Sequence, residues 1–306
     1  MSTTRRQFLG GSLRLAAAGA FAGIAPPVFA ARAAAVTTTA LSPGLSLFTG
    51  AGCNVVALKG EQGSLLVDGG AAANSRALLR AAAQATGNRN VGTLINTHWH
   101  PDHTGSNEAV GRAGGQIIAH EVTRLYLARA VASVDYEGLY GPLPPAGRPT
   151  KTTRQGGDLT VGGQPVAYGY LPAAHTNGDL YVHFPEQDVL VAGGPVSGSA
   201  WPLLDWRNGA WLGGLVKAHE KLASLVGPAT RVVPGDGRLI TGDELKRHHE
   251  MYVAFHAKMV AFQNKGMDSG DILAERPLKA HEEQFGDAGA FIQGAFRSLN
   301  IAYSPD

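Results

Sequence analysis

The chain has 306 residues, of which 44% are hydrophobic and 16% are charged. This composition supports a large packed core and excludes a disordered or highly charged protein. Its one cysteine excludes an internal disulfide framework, cysteine-based zinc fingers and iron–sulfur sites, and its formal net charge is only +2.

The first 34 residues predict a targeting segment rather than part of the fold. Residues 4–9 read Thr-Arg-Arg-Gln-Phe-Leu, an Ala/Gly-rich apolar stretch follows, and small residues suited to cleavage lie at 30–35. This pattern is typical of a twin-arginine signal peptide. We therefore expect residues 1–34 to be removed and the protein to be periplasmic or otherwise exported. The alternative is an ordinary N-terminal tail or a lone membrane anchor.

Removal of this segment changes the charge balance of the remaining chain. Four of the 26 basic residues and none of the 24 acidic residues lie in it, which leaves 22 basic residues against 24 acidic ones. Since no basic cluster remains, nucleic acid is not an expected partner. No uncharged apolar run of 18 residues follows it, so no transmembrane segment is expected there. A small-molecule substrate is the expected partner, and the oligomeric state stays open.

The first half of the remaining chain alternates predicted strands and helices. Apolar runs between Gly-bearing turns predict strands over residues 45–48, 53–59, 64–67, 91–96 and 116–119. Helical patterns are predicted over residues 74–86, which Gly87 ends, 106–112 and 120–132. Residues 133–157 are rich in Gly, Pro and Thr and predict a long surface loop, a kind of segment that often binds ligands.

The second half repeats this order. Strands are predicted over residues 159–161, 166–171, 180–184, 189–192 and 231–233. Helices are predicted over residues 211–225 and 242–264, followed by two more between 268 and 299. We expect an α+β fold in which residues 35–306 form one domain, a sandwich of two sheets with helices outside. His248 and His249, on the helix over 242–264, are expected at a solvated face.

The segment from His98 to His103 carries the strongest functional pattern. It follows a predicted strand, where residues two apart face the same side, so His98 and His100 can converge while Trp99 points away. Asp102 and His103 follow on a turn, where they can face a second point beside the first. Imidazoles with a carboxylate are a ligand set that suits zinc. The alternative is a His-rich surface loop that only scavenges metal.

With this motif the chain resembles the metallo-β-lactamase-fold superfamily. Three further segments carry the resemblance: a strand that ends in Asp68-Gly69, the sequence Ala-His-Thr-Asn-Gly-Asp that contains His175, and Val-Pro-Gly at 233–235. The resemblance implies a four-layer αββα sandwich with metals at one edge.

The resemblance also implies the ligand sets. His98, His100 and His175 would hold a first zinc, and Asp102 and His103 would hold a second.

Two positions depart from the family pattern. Gly194 stands where the family usually has an Asp that bridges both metals, and Asp236 stands where it usually has a second-site His. Asp236 is either a ligand of the second metal or an ordinary turn residue in Gly-Asp-Gly. We therefore expect an unequal site, with one zinc firmly bound and a second bound more weakly.

The leading functional hypothesis is an exported zinc-dependent hydrolase. Zn²⁺ lowers the pKa of bound water from about 15.7 towards about 7, which supplies a hydroxide to attack an ester, lactone, thioester or amide carbonyl, a β-lactam among them. Asp102 is the predicted catalytic residue, because it can orient the nucleophile or move its proton. Asp68 and Asp179 are candidates for orienting the imidazoles.

Two other functions compete with hydrolysis. A non-catalytic metal-binding or accessory protein with a degraded second site is favoured by Gly194 and Asp236. An iron-dependent sulfur dioxygenase is disfavoured. The resemblance implies that its iron ligands include an Asp at the position where this chain has Gly194.

Aromatic residues and the cysteine have alternative structural roles. Trp201, Trp206, Trp211 and Tyr140 are expected either to wall a substrate pocket or to pack in the core. Cys53 is expected to be a small buried residue within a strand.

Overall fold

The computed structural model describes residues 35–134 and 136–303. The predicted signal peptide over residues 1–34 lies outside this range. Within the described range, no helix combines the length and the apolar character that crossing a bilayer requires.

The first sheet contains seven strands that follow one another in chain order. Strands β1 to β4 pair antiparallel, and β4 to β7 pair parallel. The seven are β1 (Thr37–Ser42), β2 (Leu45–Thr49), β3 (Val55–Leu58), β4 (Ser64–Val67), β5 (Val91–Ile95), β6 (Gln116–His120) and β7 (Lys151–Thr153).

The second sheet contains six strands in the order β13-β12-β11-β10-β9-β8. Its one parallel pair is β11 with β12, and the remaining neighbours are antiparallel. The six are β8 (Gly156–Val161), β9 (Gln164–Tyr170), β10 (Leu180–Phe184), β11 (Val189–Ser197), β12 (Arg231–Asp236) and β13 (Ile240–Thr241).

Helices connect the parallel strands and continue beyond the second sheet. The described α-helices are α1 (Ser75–Thr86), α2 (Pro101–Thr104), α3 (Asn107–Arg112), α4 (Glu121–Leu127), α5 (Leu212–Ala223), α6 (Gly242–Asn264), α7 (Ser269–Ala274), α8 (Glu282–Phe285) and α9 (Gly289–Tyr303). Short 3₁₀ turns lie at Ala72–Asn74, Pro145–Gly147, Pro185–Gln187, Trp206–Asn208 and Lys279–His281.

Alternation along the strands divides the core into layers. In β4, Leu65 and Val67 pack between the two sheets, whereas Leu66 packs on the other face with Leu78 of α1. A third cluster joins the outer face of the second sheet to α5, α6 and α9. The layers are therefore helix, sheet, sheet and helix, and the predicted αββα sandwich is confirmed.

Several predicted boundaries are confirmed and others are wrong. The predicted helix over 242–264 has the observed bounds, and Gly87 ends α1 with a left-handed φ of 73°. The helix predicted over 120–132 ends at Leu127, and the chain beyond it instead forms an isolated bridge between Val131 and Tyr140. The C-terminal tail holds three helices rather than two, and strand β1 was not predicted.

The predicted solvated position of His248 is wrong. His248 is 5% exposed and its ring packs edge-on against Phe285, with the ring centroids 5.1 Å apart. The C-terminal helices cover this face of α6. The periodicity of the α6 sequence could not predict this burial, because the covering residues lie elsewhere in the chain.

A second buried histidine, His219 on α5, predicts loss of stability in acid. Burial lowers its pKa to about 3, and its Nδ1 donates to the Leu215 carbonyl at 3.1 Å. Because an unfolded histidine titrates near 6.5, the unfolded chain binds this proton first as the pH falls. Stability is therefore lost from about pH 6.5 towards pH 3, by about 3 kcal/mol at pH 4.

The variant His219→Leu tests this effect. We expect its free energy of unfolding, measured by urea titration at pH 7 and pH 4, to fall by about 3 kcal/mol less than that of the wild type over this interval. Equal losses in the two proteins would show that His219 does not contribute to the acid sensitivity.

Candidate metal centre

The predicted site residues lie at one edge of the sandwich, in or next to the segments that follow β5, β9 and β12. The His98–His103 segment follows β5, and Asp236 ends β12, the parallel neighbour of β11. His175 lies in the loop between β9 and β10. Loops that leave the same strand ends can converge without interrupting the sheets.

Three imidazoles from two distant segments meet at this edge. The Nε2 atom of His175 lies 3.1 Å from Nε2 of His98 and 2.9 Å from Nδ1 of His100. All three rings are buried, with 7% or less of each residue exposed. Pro101 begins α2 directly after His100, whose φ of −59° and ψ of 149° keep it outside the helix.

The outer nitrogen of each ring has a partner that fixes the tautomer. His175 Nδ1 donates to the Leu203 carbonyl at 2.9 Å, and His100 Nε2 donates to the Asp205 carboxylate at 3.1 Å. The Thr97 hydroxyl donates to Asp68 at 2.8 Å, so it accepts from His98 Nδ1 at 3.0 Å. In the neutral rings, all three converging nitrogens therefore carry lone pairs.

Burial favours the neutral form of His98 and of His175. It lowers the pKa of His98 well below its usual value, and the neighbouring histidines add to the effect. Burial, reinforced by His100, likewise lowers the pKa of His175 to about 3. Three lone pairs that face one another repel unless a cation lies between them.

The geometry of the three nitrogens fits a zinc ion. With Zn–N bonds of about 2.0–2.1 Å, two ligands of a tetrahedral zinc lie about 3.3–3.4 Å apart. The measured separations of 2.9 and 3.1 Å are close to this edge length. His98, His100 and His175 could therefore hold one ion and leave the fourth position towards the cavity.

Asp102 and His103 lie beside this cluster. The Oδ2 atom of Asp102 is 3.6 Å from Nε2 of His103, and the Tyr136 hydroxyl donates to Oδ1 of Asp102 at 2.7 Å. Burial alone would raise the pKa of Asp102, but His103, the Tyr136 hydroxyl and His100 outweigh it, and the pKa lies below its usual value. Asp102 is thus an ionised carboxylate at neutral pH.

Asp68 holds both the backbone just before His98 and the ring of His103. Its Oδ1 accepts from the Thr97 backbone N–H, and its Oδ2 accepts from the Thr97 hydroxyl and from His103 Nδ1, each at 2.8 Å. This is the orienting role expected for it. Asp179, the other candidate for this role, instead accepts from the backbone N–H groups of His175 and Thr176, so it holds the loop that carries His175 rather than the imidazole itself.

Cys53 lies in a bend before β3 rather than within a strand, so that prediction is wrong. Its donor atom lies within 4.8 Å of donor atoms of Asp68 and His103. Burial raises the pKa of the Cys53 thiol, which favours the neutral form. Burial was expected from its small apolar side chain, but contact with Asp68 and His103 depends on how β3 and β4 fold together.

The structure does not bring Asp236 into a ligand cluster. It is exposed at the end of β12 and lies on the wall of the cavity. Within residues 35–134 and 136–303, its side chain belongs to neither of the two groups of donor atoms that converge within 4.8 Å. The two alternatives for Asp236, ligand or turn residue, therefore both remain predictions.

Gly194 is required by the position of His175. A Cβ atom added to Gly194 would lie 2.2 Å from Cδ2 and 2.6 Å from Nε2 of the His175 ring. The imidazole thus fills the space in which a side chain at 194 would begin. The absence of the usual family Asp at position 194 is therefore linked to the position of the His175 ring in this chain.

We expect Gly194→Ala to displace the His175 ring and to weaken metal retention by about 10–100-fold. The same reasoning predicts that Gly194→Asp, which introduces the usual family residue, impairs metal binding rather than improving it. Zinc retained after dialysis is the measurement, and Gly92→Ala is the control, because a Cβ there meets no atom closer than 3.6 Å. Wild-type zinc retention in Gly194→Ala would contradict the steric argument.

Asp205 was not predicted from the sequence. It is fully buried, and its Oδ2 contacts His100 Nε2 and accepts from Asn208 Nδ2 at 2.8 Å. Burial would raise the pKa of Asp205, but the bonds with His100 and Asn208 lower it. Asp205 lies 105 residues beyond His100 in an irregular segment, so no spacing pattern linked the two.

A cavity of about 580 Å³ opens over the cluster. His100, His175 and Asp102 are on its wall, together with Trp201 and Trp206. This volume is typical of small-molecule sites. Trp211 and Tyr140 do not line it: Trp211 packs against the core cluster of the second sheet, and Tyr140 packs with Trp99.

Comparisons with known proteins agree with this architecture. The profile described as the metallo-beta-lactamase superfamily matches residues 48–276. No curated protein matches the chain.

Solved structures share the fold at low sequence identity. A metallo-beta-lactamase from Pontibacter korlensis is 20% identical with a TM-score of 0.57, over 71% of this chain and 98% of that one. The DIM-1 metallo-beta-lactamase is 18% identical with a TM-score of 0.55, over 71% and 96%. The stereoselective inverting sec-alkylsulfatase Pisa1 from Pseudomonas sp. is 16% identical with a TM-score of 0.66, over 89% of this chain but 52% of that one.

Proposed function

This chain belongs to the metallo-beta-lactamase superfamily, and from that premise we propose that it is a zinc-dependent hydrolase. His98, His100 and His175 hold the ion. The observation that carries the proposal is the convergence of three ring nitrogens whose outer partners leave only lone pairs facing inward. A zinc ion held there would supply a hydroxide nucleophile at neutral pH and would act as a Lewis acid for the carbonyl oxygen.

The protein's own groups position the reaction. Asp102 points an ionised carboxylate at the cavity beside the three imidazoles, where it would orient the attacking water and accept the proton that the water loses as it becomes hydroxide. The Tyr136 hydroxyl fixes Oδ1 of Asp102 and leaves Oδ2 for this proton. Asp205 and the Leu203 carbonyl keep His100 and His175 in the tautomers that the ion requires.

The second metal is proposed to bind more weakly than the first. Asp102 and His103 offer two donors 3.6 Å apart, and Asp236 is the candidate third ligand from an exposed position on the cavity wall. Two donors and an exposed carboxylate are expected to hold an ion less firmly than three nitrogens that already converge. Two equally retained zincs per chain would contradict this part of the proposal.

The proposed substrates are esters, lactones, thioesters or amides, with β-lactams among the amides. A screen of the purified protein against one member of each class tests the proposal, and a secondary alkyl sulfate is included because a sec-alkylsulfatase shares the fold. We expect turnover of at least one class that depends on added zinc and is lost in His98→Ala. A protein that retains zinc but hydrolyses none of them would instead favour the accessory metal-binding alternative.

We also propose export through the twin-arginine route. The support is the Arg5-Arg6 pair, the apolar stretch after it and the small residues that follow. Fractionation of cells that express the full chain should find the shortened protein in the periplasm, and Arg5→Lys with Arg6→Lys should retain it inside. Unchanged export of the double variant would contradict the proposed route.

A further inference from the structure

One wall of the cavity comes from residues beyond the family match. The matched region ends at residue 276, whereas Phe285, Phe291 and Arg297 line the cavity from α8 and α9. These residues face the same space as His100 and His175. The wall therefore lies outside the region that the family profile matches, and it is positioned to affect which substrates enter.

Aromatic packing gives this wall a fixed shape. The Trp201 ring stacks on Phe291 with centroids 5.2 Å apart and an angle of 15°, and it lies 4.8 Å from Phe285. Its indole Nε1 donates to the Gly286 carbonyl at 2.9 Å. Rings held in this way present a flat apolar surface to the cavity, which suits an aromatic or alicyclic group of a ligand.

Arg297 adds a positive charge to this surface. Within the described part of the chain, it is the one lysine or arginine on the cavity wall. Its guanidinium carbon lies 5.3 Å from the Trp206 ring centroid, a cation–π contact that holds the group in place. None of the ion pairs among described residues involves Arg297, so its hydrogen-bond donors are available to an anionic ligand.

The nearby acidic groups have other partners or positions. Asp287 lines the cavity, but its Oδ1 accepts from the Gly289 N–H at 2.9 Å at the start of α9. Asp102 is bound by the Tyr136 hydroxyl. Asp236 is exposed at the end of β12, at the edge of the sandwich where the histidine cluster also lies. An anionic group therefore finds its best partner at the guanidinium.

We propose that Arg297, held by Trp206, determines specificity by binding a carboxylate on the part of the substrate remote from the bond that is cleaved. The aromatic wall binds the apolar body between the carboxylate and that bond. The inference rests on the proposed hydrolase function and specifies its substrate class as anionic, with a flat apolar body. Guanidinium suits this role because its paired N–H groups match the two oxygens of a carboxylate.

Two matched aryl esters test the proposal, one with a distal carboxylate and one with a carboxamide at the same position. We expect Arg297→Gln to raise KM for the carboxylate ester by about tenfold, with kcat almost unchanged, and to leave the carboxamide ester unaffected. Arg207→Gln is the control, because Arg207 also stacks on Trp206, at 5.2 Å, but does not line the cavity. Equal effects on the two esters, or the same effect from Arg207→Gln, would overturn the proposal.

A binding measurement separates this inference from the hydrolase proposal. Titration with an aromatic carboxylate, followed by tryptophan fluorescence, requires no turnover. If no ester is hydrolysed, saturable binding that weakens about tenfold in Arg297→Gln still supports the anionic subsite, although the hydrolase proposal then fails. Absence of binding, or identical binding in both proteins, overturns the subsite.

Discussion

Replacement of His175 by alanine is expected to abolish retention of the first metal and the hydrolysis that depends on it. Structural zinc sites contribute about 10–16 kcal/mol over about four ligands, so one ligand accounts for about 3–4 kcal/mol. That loss corresponds to about 10²–10³-fold weaker zinc binding. His175 is the one histidine of the three that comes from the second half of the chain. Its removal therefore leaves only His98 and His100, which lie on the same segment.

The measurements are zinc per chain after dialysis and turnover of the best substrate found in the screen. His183→Ala is the matched control, because His183 lies half-buried on β10, the strand that follows the His175 loop, and outside the cluster. We expect the control to retain zinc and activity. A His175→Ala protein that keeps its zinc and its turnover would show that the ion is bound elsewhere.

The second large effect is expected from Asp102→Asn. The amide cannot take a proton, so turnover should fall by about 10²–10⁴-fold, the usual contribution of a general base. The three imidazoles remain in place, and the Tyr136 hydroxyl can still donate to the amide oxygen at the position of Oδ1. The first zinc should therefore be retained while activity is lost.

Asp287→Asn is the matched control for this variant, because it neutralises another carboxylate on the cavity wall. Asparagine also caps helices well, so the bond to Gly289 at the start of α9 should persist. We expect near wild-type turnover from it. If Asp102→Asn is as active as Asp287→Asn, a proton acceptor other than Asp102 serves the reaction.

Local patterns in the sequence predicted the parts of the fold that local physics determines. The start of α6 is fixed by a capping box in which Thr241 accepts from the Glu244 N–H and the Glu244 carboxylate accepts from the Thr241 N–H. Apolar runs identified β4, which is buried along its whole length, and β5, which is buried at Leu94 and Ile95. In contrast, β1 (Thr37–Ser42) is an edge strand with mostly exposed residues, so no apolar pattern marked it.

The site was predicted where its residues are close in sequence. Spacing alone brought His98 and His100 to one side of an extended segment, whereas His175 was reached only through the family resemblance. Asp205 could not be found in this way, because its contact with His100 depends on an irregular segment that crosses the cavity wall. The need for glycine at position 194 also depends on tertiary structure, because the His175 ring occupies the space that a side chain there would fill.

The C-terminal wall of the cavity was the least predictable feature. The sequence indicated helices in this region, but the contact of Arg297 with Trp206 joins residues 91 positions apart through side-chain packing. Neither helical periodicity nor the superfamily motifs constrain this contact. The candidate metal ligands were therefore readable from motifs, whereas the C-terminal wall of the cavity required the folded structure.

Zinc quantification on the purified, zinc-loaded protein, before and after exhaustive dialysis, tests the central claim most directly. The lone pairs of His98, His100 and His175 predict one zinc per chain that survives dialysis, with any further zinc lost. Loss of all zinc from a correctly folded protein would contradict the claim that these three histidines form a metal centre.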